Sequence, residues 1–63
     1  MTLDETLCFA INHFGSGGHP AATPENIDTF GAEYVKDCVA KALASGKISA
    51  SAAAQLKAFI DER

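Results

Sequence analysis

Residues 1–35 contain no Lys and no Arg, while Asp4, Glu5, Glu25, Asp28 and Glu33 all fall there. The basic residues Lys36, Lys41, Lys47, Lys57 and Arg63 share the second half with Asp37, Asp61 and Glu62, so the halves carry −5 and +2, a net −3. An acidic total opposes tight, nonspecific nucleic-acid binding, which depends on Lys and Arg neutralising phosphates. The asymmetry fits either an ordinary solvated helix surface or an acidic face that seeks a basic partner.

Long apolar runs are also missing. None approaches the ~20 residues that cross a bilayer. The opening "MTLDETL" lacks the basic run and apolar core of a secretory signal. A cytoplasmic chain with no membrane role is therefore expected. Cysteine is scarce: Cys8 and Cys38 each fall on an apolar helical stripe and read as small buried thiols. There is no C-x-x-C and no H-x-x-x-H, and Cys8 and His13 are five apart where one helical face needs three or four. Cys8, His13, His19 and Cys38 thus do not read as a zinc site. A catalytic thiolate needs an electropositive setting. Cys8 lies in the acidic half and Cys38 on an apolar stripe, so no catalytic, cofactor or metal residue is assigned and no enzyme is expected. His13 reads as an exposed or capping residue near a helix C-terminus, where its charged form is favoured.

No β-strand alternation and no internal repeat is present, and the expected class is all-α. Residues 1–63 make a single small domain. A chain this short buries only about 60% of the surface its unfolded form exposes, and its core supplies a net ~3–5 kcal/mol. Thr2 and Glu5 match the capping box T-x-x-E. Leu3, Leu7, Ala10, Ile11 and Phe14 follow at spacings of three and four, and Gly15 supplies a stop. The first helix is predicted over about residues 3–14 and a loop over 15–23. Thr23 as cap, Pro24 at the first helical position and Glu25 predict a second helix over about 24–45, ended by Gly46. Its broad stripe is Ile27, Phe30, Tyr34, Val35, Cys38, Val39, Ala42 and Leu43. Gly31 inside this run costs about 1 kcal/mol relative to alanine, and reads either as room for close approach of the first helix or a partner or as the mark of a bend. Ser49 caps a third helix over about 50–62, with Ala53, Leu56, Phe59 and Ile60 inward. The expected architecture is a helical hairpin of the second and third helices, with the first packed across it.

The loop "GSGGHPAATPEN" raises the question of an anion site, since glycines before a helix start expose amide donors. It lacks the G-x-x-x-x-G-K-[ST] order. Pro20 and Pro24 each remove a donor, and Glu25 and Asp28 add negative charge. Any ligand role would fall to Gly15, Ser16, Gly17, Gly18, His19 and Thr23, with cations supplied by another subunit. "VAKALASGKISASAAAQLKAFI" runs helix, glycine turn, helix, the outline of a helix-turn-helix that would offer Ser51, Gln55 and Lys57 to a groove. The segment "SGKISASAAAQLKAFI", less than a third of the chain, resembles through Gly46, Ile48, Ser49, Lys57 and Ile60 the short C-terminal helical hairpin of many bacterial proteins, the SHOCT type. That resemblance implies an oligomerising or protein-docking element.

The apolar stripes look wider than three short helices can cover, and a surplus apolar patch commonly marks an interface. The expectation is a homo-oligomer, most simply a two-fold dimer, acting as a small acidic binding protein on a protein partner. By analogy of size only, it belongs with phage- or plasmid-borne inhibitors and regulators. Phe9, Tyr34, Val35 and Val39, with Glu25, Asp28 and Glu33, are the expected interface. The alternatives are an oligomeric sponge for a small anionic ligand such as a nucleotide, held between subunits, and a DNA-binding regulator.

Overall fold

Helix α1 (Leu3–Phe14) starts where the capping box places it: the Glu5 N–H donates to Thr2 Oγ1 at 3.1 Å, and the Thr2 N–H donates to Glu5 Oε1 at 2.9 Å. The backbone bond holds the Glu5 carboxyl below its ordinary pKa, because it favours the charged form. The computed structural model describes residues 2–63. After α1 come a 3-10 helix (Ile27–Phe30), α2 (Ala32–Ala44) and α3 (Ala50–Asp61), with no strand among the described residues. No helix among them is long and apolar enough to cross a membrane.

The continuous helix predicted over 24–45 is replaced by three pieces. Residues 23–26 form a turn, with the Asn26 N–H donating to the Thr23 carbonyl and Pro24 at the second position, where its fixed φ suits a turn. The Asn26 side chain accepts from the Thr23 N–H at 2.8 Å and donates to the Ala21 carbonyl at 2.9 Å. Thr29 Oγ1 donates to the Asn26 carbonyl. Short polar side chains thus compete for the backbone groups a helix would use, and Asn26, not Thr23, organises the segment. Gly31, at φ 83° and ψ 144°, then turns the chain into α2. That conformation is essentially closed to other residues.

At the far end of α2 the Gly46 N–H donates to the Leu43 carbonyl and the Lys47 N–H to that of Ala42, with Gly46 at φ 74°. This is a Schellman stop. Ser49 Oγ accepts from the Ala52 N–H at 3.0 Å and caps α3.

Helix α2 is central and packs on both α1 and α3, which also meet each other. Leu7, Ile11, Val39 and Leu56 are fully buried, joined by Ile27, Val35, Cys38 and Ile60. No polar or charged residue is buried among the described residues. The accessible surface of one copy is 3747 Å², against ~3,900 Å² for a folded monomer of this mass. A single chain therefore closes its aliphatic core. Val35 and Val39, expected at an interface, are 3% and 0% exposed inside it, because α2 is central and α1 and α3 cover its wide stripe from two sides.

Candidate functional site

The loop between α1 and the 3-10 helix is held at three points. Asn12 clamps Ala22: its Oδ1 accepts the Ala22 N–H at 2.7 Å and its Nδ2 donates to the Ala22 carbonyl at 3.2 Å. Asn26 holds Ala21 and Thr23 as described. The third point is Gly15. A methyl group added there would meet the Tyr34 hydroxyl, the Ile11 carbonyl at 2.5 Å and His19 Nε2 at 3.1 Å. The Tyr34 and His19 side chains therefore pack onto bare Gly15.

Above this floor stands an aromatic cluster. Phe30 and Tyr34 lie nearly parallel, 14° apart with centroids 5.9 Å apart. The His19 ring stands edge-on to both, at 5.4 Å from Phe30 and 6.2 Å from Tyr34. His19 Nδ1–H donates to the Pro20 carbonyl at 2.7 Å, which fixes the ring. The Tyr34 hydroxyl reaches the Ser16 carbonyl only at 3.5 Å, the outer limit of a hydrogen bond. These rings, with Ser16, Gly17, Gly18, Pro20 and Thr29, line an open cleft of about 380 Å³. No Lys or Arg lines it.

A second cluster caps the end of α1. The Phe9 and His13 rings lie 4.2 Å apart, Phe14 lies 6.3 Å from Phe9, and His13 Nδ1–H donates to the Phe9 carbonyl at 3.0 Å. Phe14 precedes Gly15 in the chain, but no ring of this cluster meets His19, Phe30 or Tyr34 among the described residues. Phe59, on α3, lies under the Arg63 guanidinium at 5.3 Å. The four Phe and the one Tyr of the chain, Phe9, Phe14, Phe30, Tyr34 and Phe59, are half-buried, and all but Phe9 pack against the edge of the core.

The acidic half is unevenly neutralised. Arg63 Nε donates to Asp28 Oδ1 at 2.7 Å, and Arg63 Nη1 to Asp4 Oδ1 at 3.4 Å. Lys36 pairs with Asp61, and Lys41 with Asp37 at 2.9 Å. Glu25 and Glu33 are exposed and make no ion pair among the described residues. Of the expected interface set, Phe9 and Tyr34 are thus half-exposed and Glu25 and Glu33 exposed, while Asp28 is engaged by Arg63. A separate cavity of about 310 Å³ lies beside that ion pair, over Ile27, Val35 and Ile60.

Of the expected ligand-loop residues, Ser16, Gly17, Gly18 and His19 line the cleft, Gly15 lies beneath the aromatic side chains, and exposed Thr23 belongs to the Pro24 turn. Cys8 and Cys38 are free and buried. Burial is the main cause that pushes both thiols up, helped at Cys8 by the charges of Asp4, Glu25 and Glu5. Among the described residues no three His, Cys, Asp or Glu side chains come together as a metal site. Ser51, Gln55 and Lys57 are exposed along α3, with Gln55 Nε2 donating to Ser51 Oγ at 3.4 Å.

Sequence reasoning missed Asn12, Asn26 and Arg63, whose partners lie up to 59 positions away. Their only signal was residue type. No protein-family model matches the chain, and comparison with curated proteins and with solved structures gives no match.

Proposed function

We propose that the chain is a non-enzymatic binding protein that docks its aromatic surface onto a basic surface of a partner protein, as a small inhibitor or regulator does. The observation that supports this reading is the placement of the rings: all five are left at the surface of a chain whose aliphatic core is closed. Aromatic side chains bring large rigid contact area and dominate many interfaces. His19, Phe30 and Tyr34 gather beside the loop and Phe9 and Phe14 form a second group at the end of α1, while Glu25 and Glu33, in no ion pair among the described residues, have charge to spare for a basic partner. The dimer expected from the sequence, with the hairpin of α2 and α3 as its framework, is the competing reading: a second copy over the same rings would leave no room there for a basic partner.

Site-specific photo-crosslinking tests this. A benzophenone amino acid replaces Phe9 or Tyr34 in separate variants, with Ala54 and Lys47 as exposed control positions. The expected result is one shared crosslinked foreign protein at both aromatic positions and not at the controls; a crosslinked second copy instead makes the rings a dimer interface and overturns the partner-protein reading. Equal crosslinking at all four positions, or none at the aromatic pair, overturns the reading.

A further inference from the structure

The cavity beside Arg63 is more enclosed than the cleft at Tyr34 and differs from it in character. Its floor is three aliphatic side chains from three elements: Ile27 of the 3-10 helix, Val35 of α2 and Ile60 of α3. Each is at most 5% exposed, so the packed core fixes the floor. Gly31 and Ala32, at the start of α2, line one side. The rest of the lining is a pair of opposite charges, Asp28 and Arg63. A volume of about 310 Å³ lies at the low end of the roughly 300–1,000 Å³ of small-molecule sites, so the occupant is small.

The two charges are paired with each other but not used up. Arg63 Nε donates to Asp28 Oδ1, and Nη1 donates to Asp4 Oδ1. A guanidinium has five N–H donors, and a carboxylate has about four acceptor positions. Among the described residues Arg63 Nη2 and Asp28 Oδ2 have no partner. The Asp28 side chain is 75% exposed, whereas that of Arg63, held against the Phe59 ring, is 27% exposed. Asp28 can therefore accept from a cation in the cavity while keeping Arg63, and the guanidinium can donate to an anion there. One guanidinium with the carboxylates of Asp28 and Asp4 leaves a local excess of negative charge. A ligand with only a carboxylate is repelled by that excess. A ligand with only an ammonium leaves the spare guanidinium donors unused. A ligand that carries both charges beside an aliphatic group meets the rim and the floor together.

We infer that this cavity binds a free aliphatic α-amino acid, its side chain over Ile27, Val35 and Ile60, its ammonium at Asp28 and its carboxylate at Arg63. An amide or charged side chain would lie on the aliphatic floor without a hydrogen-bond partner, which is costly. The inference does not depend on the protein-docking reading, because no Phe or Tyr lines the cavity.

The test is amide NMR titration of the intact chain with leucine, beside isoamylamine, which lacks the carboxylate, isocaproate, which lacks the ammonium, and glutamine. Saturable shifts centred on residues 27–35 and 60–63, which carry the lining, are expected with leucine in the millimolar range. Weaker shifts are expected with the amine and the acid, and none with glutamine. Asp28→Asn and Arg63→Gln should each weaken leucine binding about tenfold, the loss of one charge-assisted contact. Ala32→Leu fills the cavity from an exposed position and should abolish binding. Far-ultraviolet circular dichroism of each variant separates lost binding from lost folding. Isoamylamine or isocaproate binding as well as leucine overturns the amino-acid inference. Leucine binding that survives Ala32→Leu, or is unaltered by both charge variants, overturns the site, as does the absence of saturable shifts.

Discussion

Gly31→Ala separates two descriptions of the same sequence by the sign of one number. If residues 24–45 formed an unbroken helix, alanine would replace a poor helix former in mid-helix and stabilise the chain by about 1 kcal/mol. In the structure Gly31 sits between the 3-10 helix and α2 at φ 83° and ψ 144°. A side chain in that region costs on the order of 1–3 kcal/mol. Nothing lies within 4 Å of a methyl group built there, so the loss is conformational and not a clash. Against a stability of ~3–5 kcal/mol, such a loss unfolds a visible fraction of molecules. The assay is urea unfolding followed by circular dichroism, with melting as a second reading, where each kcal/mol moves the midpoint by about 4–8 °C in a domain this small. A lower midpoint with an unchanged urea slope is expected, since the native fold loses no contact. A Gly31→Ala chain that melts higher than the parent would mean that the helix runs through, and the aromatic cluster of Phe30 and Tyr34 would lose its geometric basis.

Two further outcomes follow from the loop and the core. Asn12→Ala removes both hydrogen bonds to Ala22, which is 6% exposed. Leaving that backbone unpaired should cost about 1–3 kcal/mol, with hydrogen exchange at the Ala22 amide accelerating more than in α3; unchanged exchange there would contradict the clamp. The thiols of Cys8 and Cys38 should alkylate ~10²–10⁴-fold more slowly in the native chain than in urea, because reaction must await opening of a fold worth ~3–5 kcal/mol. Their pKa is raised above the ordinary 9.0 in the fold. The stability linked to the neutral thiols is therefore complete below pH 9 and is lost as pH rises through the higher folded value. Native labelling as fast as unfolded labelling near neutral pH would refute their burial.

The first and third helices were legible because their signals are local. Thr2 with Glu5, and Ser49 before an apolar repeat, are end markers whose partners lie three residues away. The stop at Gly46 is local as well. The second helix was misread because Thr23, Pro24 and Glu25 suit a helix start and a turn equally well. The decision lay with Asn26, which bonds Ala21 and Thr23, and with the positive φ of Gly31. Periodicity also placed Val35 and Val39 on a stripe without saying which part of it faces α1 and α3. The site was less legible still. That Gly15 is needed as a floor for Tyr34 follows from a contact across 19 positions, and no spacing rule encodes it.

The composition of the core explains why the rings are outside it. Of the thirteen buried residues among those described, Cys8, Ala10, Ala22, Cys38, Ala42 and Ala53 are small. Small residues at helix contacts bring the backbones close and leave no volume for a phenyl ring, since interiors are packed to crystal-like density. The aromatic side chains then sit at its margin, Phe14, Phe30, Tyr34 and Phe59 packed against it, with Phe30 and Tyr34 beside the loop that three hydrogen-bonding or packing anchors hold still. A rigid loop presenting rings loses little conformational entropy when it is covered, which is what makes such a surface effective in binding. The closed aliphatic core and the half-buried aromatic margin are therefore one consequence of the same choice of small residues. The proposed partner is what would complete the burial that the helices of a single copy leave unfinished.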